Sequence, residues 1–482
     1  MSISGFKYLA VFALLGLSSA AQAGLQEPVP AAVENHVAAY VAAVNAPDQQ
    51  AADAFRNEHT AAALVEGVPR KAFVGFFETQ HRVLGGVDLV ETRMRDEDTV
   101  VALLRSRLYG ALIGVTLDLE AGPDQKVANL DPGPAPPWAP MPEPILSAGE
   151  FSSRTRLLAN RGCNANVFSG AFLVAKGPDV LAQGACGLAS RRYMAPNTID
   201  TRFNLGSMNK MFTAVAVMQL VEAGRLSLDD PLSRYVDETW LPADVSSTIT
   251  VRHLLTHTSG LGSFLGPEFQ RSSRLRFRNL ADYAALVQGE RPAFRPGSDY
   301  RYSNTGMLLA GVVIERVSGQ DYFAYVRDHI FQPAGMASTD SWPMDDPVAN
   351  LATGYAWAPD APLGWRENTL LSPYRGSPAG GGFSTVGDLH RFALALQDGR
   401  LISETSRAWL WTDQPPHEYG GGFMITRSMA GRIVGHEGQF DGVSSQLEIY
   451  VDKGYVVVVL GNQDGAAPGL ADAIRGLIAA AA

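Results

Sequence analysis

The 482-residue chain has only two cysteines, Cys163 and Cys186, which excludes a disulfide-built scaffold and a four-thiolate zinc site. Basic residues are in deficit: 39 Lys and Arg stand against 49 Asp and Glu, for a formal net charge of -10, and no basic run is present. That balance argues against nucleic acid or an anionic membrane as the main partner. Beyond residue 23 no apolar run approaches the length of a membrane span. The chain contains no His-Glu-x-x-His and no His-x-His-x-Asp, so a zinc hydrolase would lack its ligands. It contains no Gly-x-Ser-x-Gly nucleophile elbow and no Gly-x-x-x-x-Gly-Lys phosphate loop. No metal site and no cofactor is expected, and no segment repeats along the chain.

What is present fits a globular protein: 46% hydrophobic and 18% charged residues can bury a large core. The length exceeds one ordinary domain. Residues 1–23 read as a signal peptide, with Lys7 in the n-region, an apolar run Tyr8–Leu17, and Ala21-Gln22-Ala23 as the cleavage pattern. The expected product is exported, to the periplasm or outside the cell. That compartment permits Cys163 and Cys186 to pair without requiring it; the alternative is two small buried apolar residues.

Residues 24–128 read as an accessory α+β domain. Helices are expected over 30–45 and 48–66, followed by strands Val87–Met94, Asp98–Arg107 and Gly110–Leu119. Its order of elements resembles the small cone-shaped SnoaL-like or cystatin-like domains. Its His59 and His81 read as ordinary core or surface histidines. Residues 129–147 carry Pro132, Pro134, Pro136, Pro137, Pro140, Pro142 and Pro144, a density that prefers extended polyproline geometry and predicts a linker. From 148 to 482 the pattern reads as one large α+β domain, with helices beginning near Ser207 and Asn304 and strand-like segments at 432–436, 444–451 and 455–460.

Three short elements in this second region carry chemistry. Ser207-Met208-Asn209-Lys210 opens an apolar helix and sets a hydroxyl and an amine on one face. Backbone N–H groups there can bind an oxyanion. The tetrad alone is weak, because Ser4 and Lys7 repeat it inside the export segment; Ser207 also reads as a helix cap and Lys210 as a solvated charge. Tyr302-Ser303-Asn304 lies on a turn before a helix. An adjacent ammonium would favour the Tyr302 phenolate and make it a base, while Asn304 could hold that lysine and donate to a substrate carbonyl. His436-Glu437-Gly438 lies on a strand, with His436 and Gly438 on one face. Gly438 would leave room for a ligand, and the amide of Gln439 could supply a second oxyanion donor. Standing alone, His436 reads as a core histidine.

The three elements in this order resemble the serine β-lactamase-related family, which includes class C β-lactamases, D-alanyl-D-alanine carboxypeptidases and β-lactamase-like esterases. Further stretches are similar to it: Phe203–Gly206, Gly224–Pro231, His253–Leu261 and Gly380–Thr385. The resemblance covers about residues 148–482 and implies a β-lactamase-like fold, an antiparallel sheet flanked by helices plus a helical subdomain. It implies a serine hydrolase that cleaves a small ester, amide or peptide through an acyl-enzyme. Ser207 would be the nucleophile, and Tyr302 with Lys210 would take its proton. Asn304 would orient Lys210 and the substrate. His436 would hold the strand position opposite the serine, and the amides of Ser207 and Gln439 would form the oxyanion hole. His253 and His257 read as structural, with Thr256 and Ser259 fixing turns. Class C enzymes carry Lys-Thr-Gly where this chain has His-Glu-Gly, and a histidine offers a substrate carboxylate less charge. The expectation therefore leans to esterase or peptidase activity over β-lactamase activity. A different class of reading, a binding protein that keeps the fold without turnover, is opposed by the intact Ser207, Lys210 and Tyr302.

Overall fold

The computed structural model describes residues 28–46, 49–145, 147–415 and 419–481. The expected export segment lies outside the described residues. Contacts divide the chain into two compact units.

The first unit holds the residues up to Val167, Arg427–Gly431 and the segment from Pro468. Helices α1 (Ala31–Asn45) and α2 (Arg70–Leu84) accompany strands β1 (Val87–Asp96), β2 (Thr99–Ser106), β3 (Leu112–Leu119) and β4 (Val127–Pro134). The strands form an antiparallel sheet in the order β1-β2-β3-β4. Its core joins Val37, Tyr40, Phe55, Phe73 and Phe77 to Val100, Leu104, Val115 and Leu117. The Phe77 ring lies 5.6 Å from Tyr40 and 5.5 Å from Phe55, at angles suited to edge contacts.

Two expectations change here. The helix predicted over 48–66 breaks at Thr60, because Ala61 donates its backbone N–H to Val127 at 2.8 Å and a tertiary bridge outcompetes helical continuation. The linker predicted over 129–147 begins instead as strand β4, with Pro132 opposite Val115 and Pro134 opposite Ile113. β4 is an edge strand, and an edge tolerates the missing proline N–H groups that a central strand would not. By its contacts helix α3 (Ala148–Asn164) groups with the first unit. Ser147 caps it by accepting from the Glu150 amide at 3.1 Å. Cys163 and Cys186 are both disulfide-bonded.

The second unit spans Phe168–Thr426 and Arg432–Ala467. Strands β5 (Gly170–Lys176) and β6 (Asp179–Cys186) form the expected hairpin. With β7 (Met424–Ser428), β8 (Gly431–Phe440), β9 (Val443–Tyr450) and β10 (Tyr455–Gly461) they build a six-stranded sheet in the order β7-β8-β9-β10-β5-β6. β10 is buried along its whole length, as its unbroken Val-rich run requires. Helix α4 (Asn209–Glu222) packs against helix α6 (Asn304–Ser318), with the short α5 (Val251–Leu255) also against α6. α4 is apolar nearly all round and buried accordingly, from Met211 to Met218. The Phe212 ring meets Phe331 at 5.0 Å and Phe392 at 4.8 Å. Gly319, with φ 75°, ends α6 in the left-handed conformation that glycine takes without strain. Helix α7 (Pro468–Ala480) closes the chain and belongs to the first unit. Among the described residues no helix is long and apolar enough to cross a membrane.

Candidate active site

Ser207 stands on a 3-10 turn, Gly206–Met208, immediately before α4. The turn is held from two sides. The pair Phe203–Asn204 runs antiparallel to Phe383–Ser384, Leu205 donates its N–H to Gly382 O at 2.7 Å, and Gly381 donates to Gly206 O at 3.0 Å. From the other side Ser445 Oγ, on β9, donates to Leu205 O at 2.7 Å. Gly206 has φ 52°, and Asn204 Oδ1 accepts its N–H at 2.9 Å, so the left-handed step is fixed by a side-chain clasp. The Gly380–Thr385 stretch, singled out in the sequence, is the other wall of this turn.

Lys210, the second residue of α4 and one turn on from Ser207, is fully buried. Its Nζ lies 3.0 Å from Ser207 Oγ, 3.0 Å from Asn304 Oδ1 and 2.5 Å from Ala379 O. None of these partners carries a charge, so burial pushes the ammonium well below the usual lysine range. A neutral amine fits the partners one for one. Its two N–H groups meet the two pure acceptors, Asn304 Oδ1 and Ala379 O, and its lone pair faces the serine hydroxyl.

Tyr302 approaches from the turn before α6. Lys210 Nζ sits 4.7 Å from its ring centroid, and its hydroxyl is hydrogen-bonded to Ser207. Burial pushes the phenol far above the usual tyrosine range, only partly opposed by the Ser207 contact. The phenolate expected from the sequence is therefore disfavoured, chiefly by burial of the phenol itself. Ser303 caps α6 by accepting from Gly306 N at 2.8 Å, so the capping residue is Ser303 and Asn304 is free to face Lys210. Asn304 Nδ2 donates to Ser263 Oγ at 3.1 Å, which fixes the amide with its oxygen toward the lysine.

The strand elements depart from expectation in two places. A Cβ on Gly438 would lie 1.8 Å from Leu205 O and 2.4 Å from Ser445 Oγ. The room left by this glycine is thus filled by the nucleophile's own turn and not by a ligand. A Cβ on Gly206 would lie 3.0 Å from the Gln439 backbone nitrogen, so that amide borders the turn that carries Ser207. His436 is 3% exposed and fully engaged. Its Nδ1 lies 2.5 Å from Glu437 O and its Nε2 3.0 Å from the Tyr419 hydroxyl. A carbonyl can only accept, so Nδ1 carries the proton and Nε2 accepts from the phenol. Burial first, and Lys210 nearby second, push His436 down to about 3.

Sequence reasoning placed Ser207, Lys210, Tyr302, Asn304 and Gln439 in one cluster, and the structure brings them together. It missed Ala379, which acts through a backbone carbonyl and leaves no side-chain signal. It missed Tyr419, one tyrosine among 15 with no motif around it. His257, expected to be structural, packs among the tyrosines of the site. That ring is buried, 4.4 Å from Tyr302 and 4.7 Å from Tyr419, with φ 56°. Its Nδ1 accepts from Ser303 N at 3.2 Å, while Nε2 has no hydrogen-bond partner. His253 is structural as read: its ring and the Thr250 side chain form a reciprocal cap on α5. Among the described residues no group of three or more His, Cys, Asp or Glu could hold a metal ion.

Comparison with known proteins matches this geometry to a family. The Beta-lactamase family model matches residues 155–482. Penicillin-binding protein 4* of Bacillus subtilis is 30% identical over 318 residues, 62% of this chain and 68% of that protein. Esterase EstB of Burkholderia gladioli is 35% identical over 208 residues, 40% of this chain and 52% of that protein. A penicillin binding protein from Bacillus halodurans superposes with a TM-score of 0.61 at 32% identity, covering 69% of this chain and 99% of that one. With a model match over most of its length and a serine poised against a buried lysine, the chain belongs to the Beta-lactamase family and is a serine hydrolase.

Proposed function

We propose that the protein hydrolyses a small ester or amide, of esterase or peptidase type, through an acyl-enzyme on Ser207. One observation carries this reading: the Ser207 hydroxyl lies 3.0 Å from the Nζ of Lys210, a fully buried lysine whose charged form burial disfavours. Lys210 Nζ takes the Ser207 proton as Oγ attacks the substrate carbonyl carbon. The amides of Ser207 and Gln439 stabilise the resulting oxyanion. Collapse breaks the bond to the leaving group, which departs with a proton passed from Lys210 by way of Tyr302. Water then enters by the reverse relay, the acyl–Oγ bond breaks, and Ser207 regains its proton. Asn304 keeps Lys210 aimed at the serine throughout.

The β-lactamase alternative is weaker because a neutral His436 stands where a lysine would meet the carboxylate of a penicillin. We assign the chain to the exported space on the strength of residues 1–23 and treat the N-terminal unit as an accessory module. The test is covalent. A fluorophosphonate should label Ser207, and short-chain p-nitrophenyl esters, nitrocefin and D-Ala-D-Ala peptides assayed side by side should rank esters or peptides above nitrocefin. Ser207→Ala serves as the blank. No adduct on Ser207 and no turnover above that blank would favour a binding protein on the same fold.

A further inference from the structure

His436 lies on β8, at the strand position that the family resemblance sets opposite the serine and from which a substrate's carboxylate would be met. Its two ring nitrogens are both spent within the protein. Nδ1 donates to Glu437 O, and Nε2 receives the Tyr419 hydroxyl proton. Tyr419 is itself buried, at 3% exposure, and keeps its proton because burial raises its phenol well above the ordinary value. To bind a carboxylate, His436 would have to gain a second proton at Nε2, where the Tyr419 hydroxyl already points its own hydrogen. Tyr419 would then have to turn its O–H away inside a packed aromatic group, with His257 at 4.7 Å and Tyr300 at 6.0 Å.

Lys210 cannot fill the gap. Its hydrogen-bonding capacity is divided among Ser207 Oγ, Asn304 Oδ1 and Ala379 O. Turning it toward a ligand would unmake the activation of the nucleophile.

Resting on the hydrolase reading above, we infer that Tyr419 is a specificity-determining residue: by locking His436 as a neutral, fully bonded imidazole, it fits the site to acyl donors whose acyl portion bears no carboxylate. Tyr419 and His436 act together. The phenol selects the tautomer, and the tautomer removes a charge-assisted contact that a carboxylate would need in exchange for its lost hydration.

The test compares two esters that share a leaving group and differ at the far end of the acyl chain. p-Nitrophenyl valerate is neutral, and mono-p-nitrophenyl glutarate replaces its terminal methyl by a carboxylate. The unaltered protein should show kcat/KM at least about tenfold higher for the valerate, after subtraction of the Ser207→Ala rate. Tyr419→Phe, which removes the donor to Nε2, should narrow that ratio by roughly threefold or more, and His436→Lys should invert the preference. Equal turnover of both esters by the unaltered protein would overturn the inference, and the wild-type ratio decides this even if a variant fails to fold. An unchanged ratio in a folded Tyr419→Phe would overturn the role of the lock. Loss of both activities to the Ser207→Ala level in the unaltered protein would instead overturn the hydrolase reading, and this inference with it.

Discussion

Gly438 and Leu205 approach so closely that a Cβ on the glycine would lie 1.8 Å from the leucine's carbonyl oxygen. No side chain fits there, so the strand and the nucleophile's turn are in backbone contact. That contact sets the distance between the two amides assigned to the oxyanion hole. Gly438→Ala must push the Leu205–Ser207 turn off β8. The expected result is a fall in kcat of roughly a hundredfold, the scale of losing one oxyanion donor. KM should change little, and far-ultraviolet circular dichroism should report a folded chain. Wild-type kcat in the alanine variant would separate this strand from the chemistry.

Lys210 is assigned the proton transfer, and its removal should show it. Lys210→Ala should lower kcat/KM by roughly a thousandfold or more and slow fluorophosphonate labelling of Ser207 in parallel. A variant that still labels at the wild-type rate would shift the base elsewhere.

The pH profile separates lysine from tyrosine as the base. Burial pushes Lys210 down and Tyr302 up. If the neutral amine is the active form, kcat/KM rises with pH through a limb placed well below the ordinary lysine value of 10.5 and then stays level into mild alkali. Tyr302 holds its proton past its ordinary value of 10.0, so no descending limb belongs below that point. A rate that keeps climbing toward pH 10 would mark the phenolate as the working base.

Asn304 depends on Ser263 for its orientation, with Nδ2 donating to Oγ at 3.1 Å. Ser263→Ala leaves the amide free to flip and present its NH2 to Lys210. We expect kcat to fall by roughly three- to tenfold, the loss of one modest hydrogen bond, with recovery in Ser263→Thr. Full activity in the alanine variant would show that Lys210 alone orients the amide.

Stability should fall in mild acid. His436 is pushed down to about 3 and His257 well below 6.5, chiefly by burial. The unfolded imidazoles take up protons near 6.5 while the folded ones stay neutral, so the unfolded state binds more protons as pH drops. Stability is therefore complete above about pH 6.5 and is lost as pH falls toward the folded values, by about 2 kcal/mol at pH 5 for His436 and in the same direction for His257. Urea midpoints measured at both pH values check this, and His436→Asn should remove part of the difference. Equal midpoints at the two pH values would contradict the burial of two neutral rings.

Local pattern reaches far into this protein. The apolar run after Ser207 dictates α4, Gly319 ends α6, and the Val-rich 455–460 segment can only be a buried strand, because each follows from neighbours in sequence. The tetrad Ser207–Lys210 follows from helical spacing in the same way. Tertiary context decided the rest. Pro132 and Pro134 lie in a strand because that strand is an edge, a property of the sheet and not of the segment. Gly438 serves the backbone of Leu205, more than 230 residues earlier in the chain, and no window around Gly438 contains that partner. The protonation states of Lys210, Tyr302 and His436 depend on burial and on Ala379, Ser207 and Tyr419, which only folding brings near. The sequence by itself determined which groups are available for catalysis. The three-dimensional arrangement determined which of them carries the proton, because desolvation and hydrogen bonding act through space.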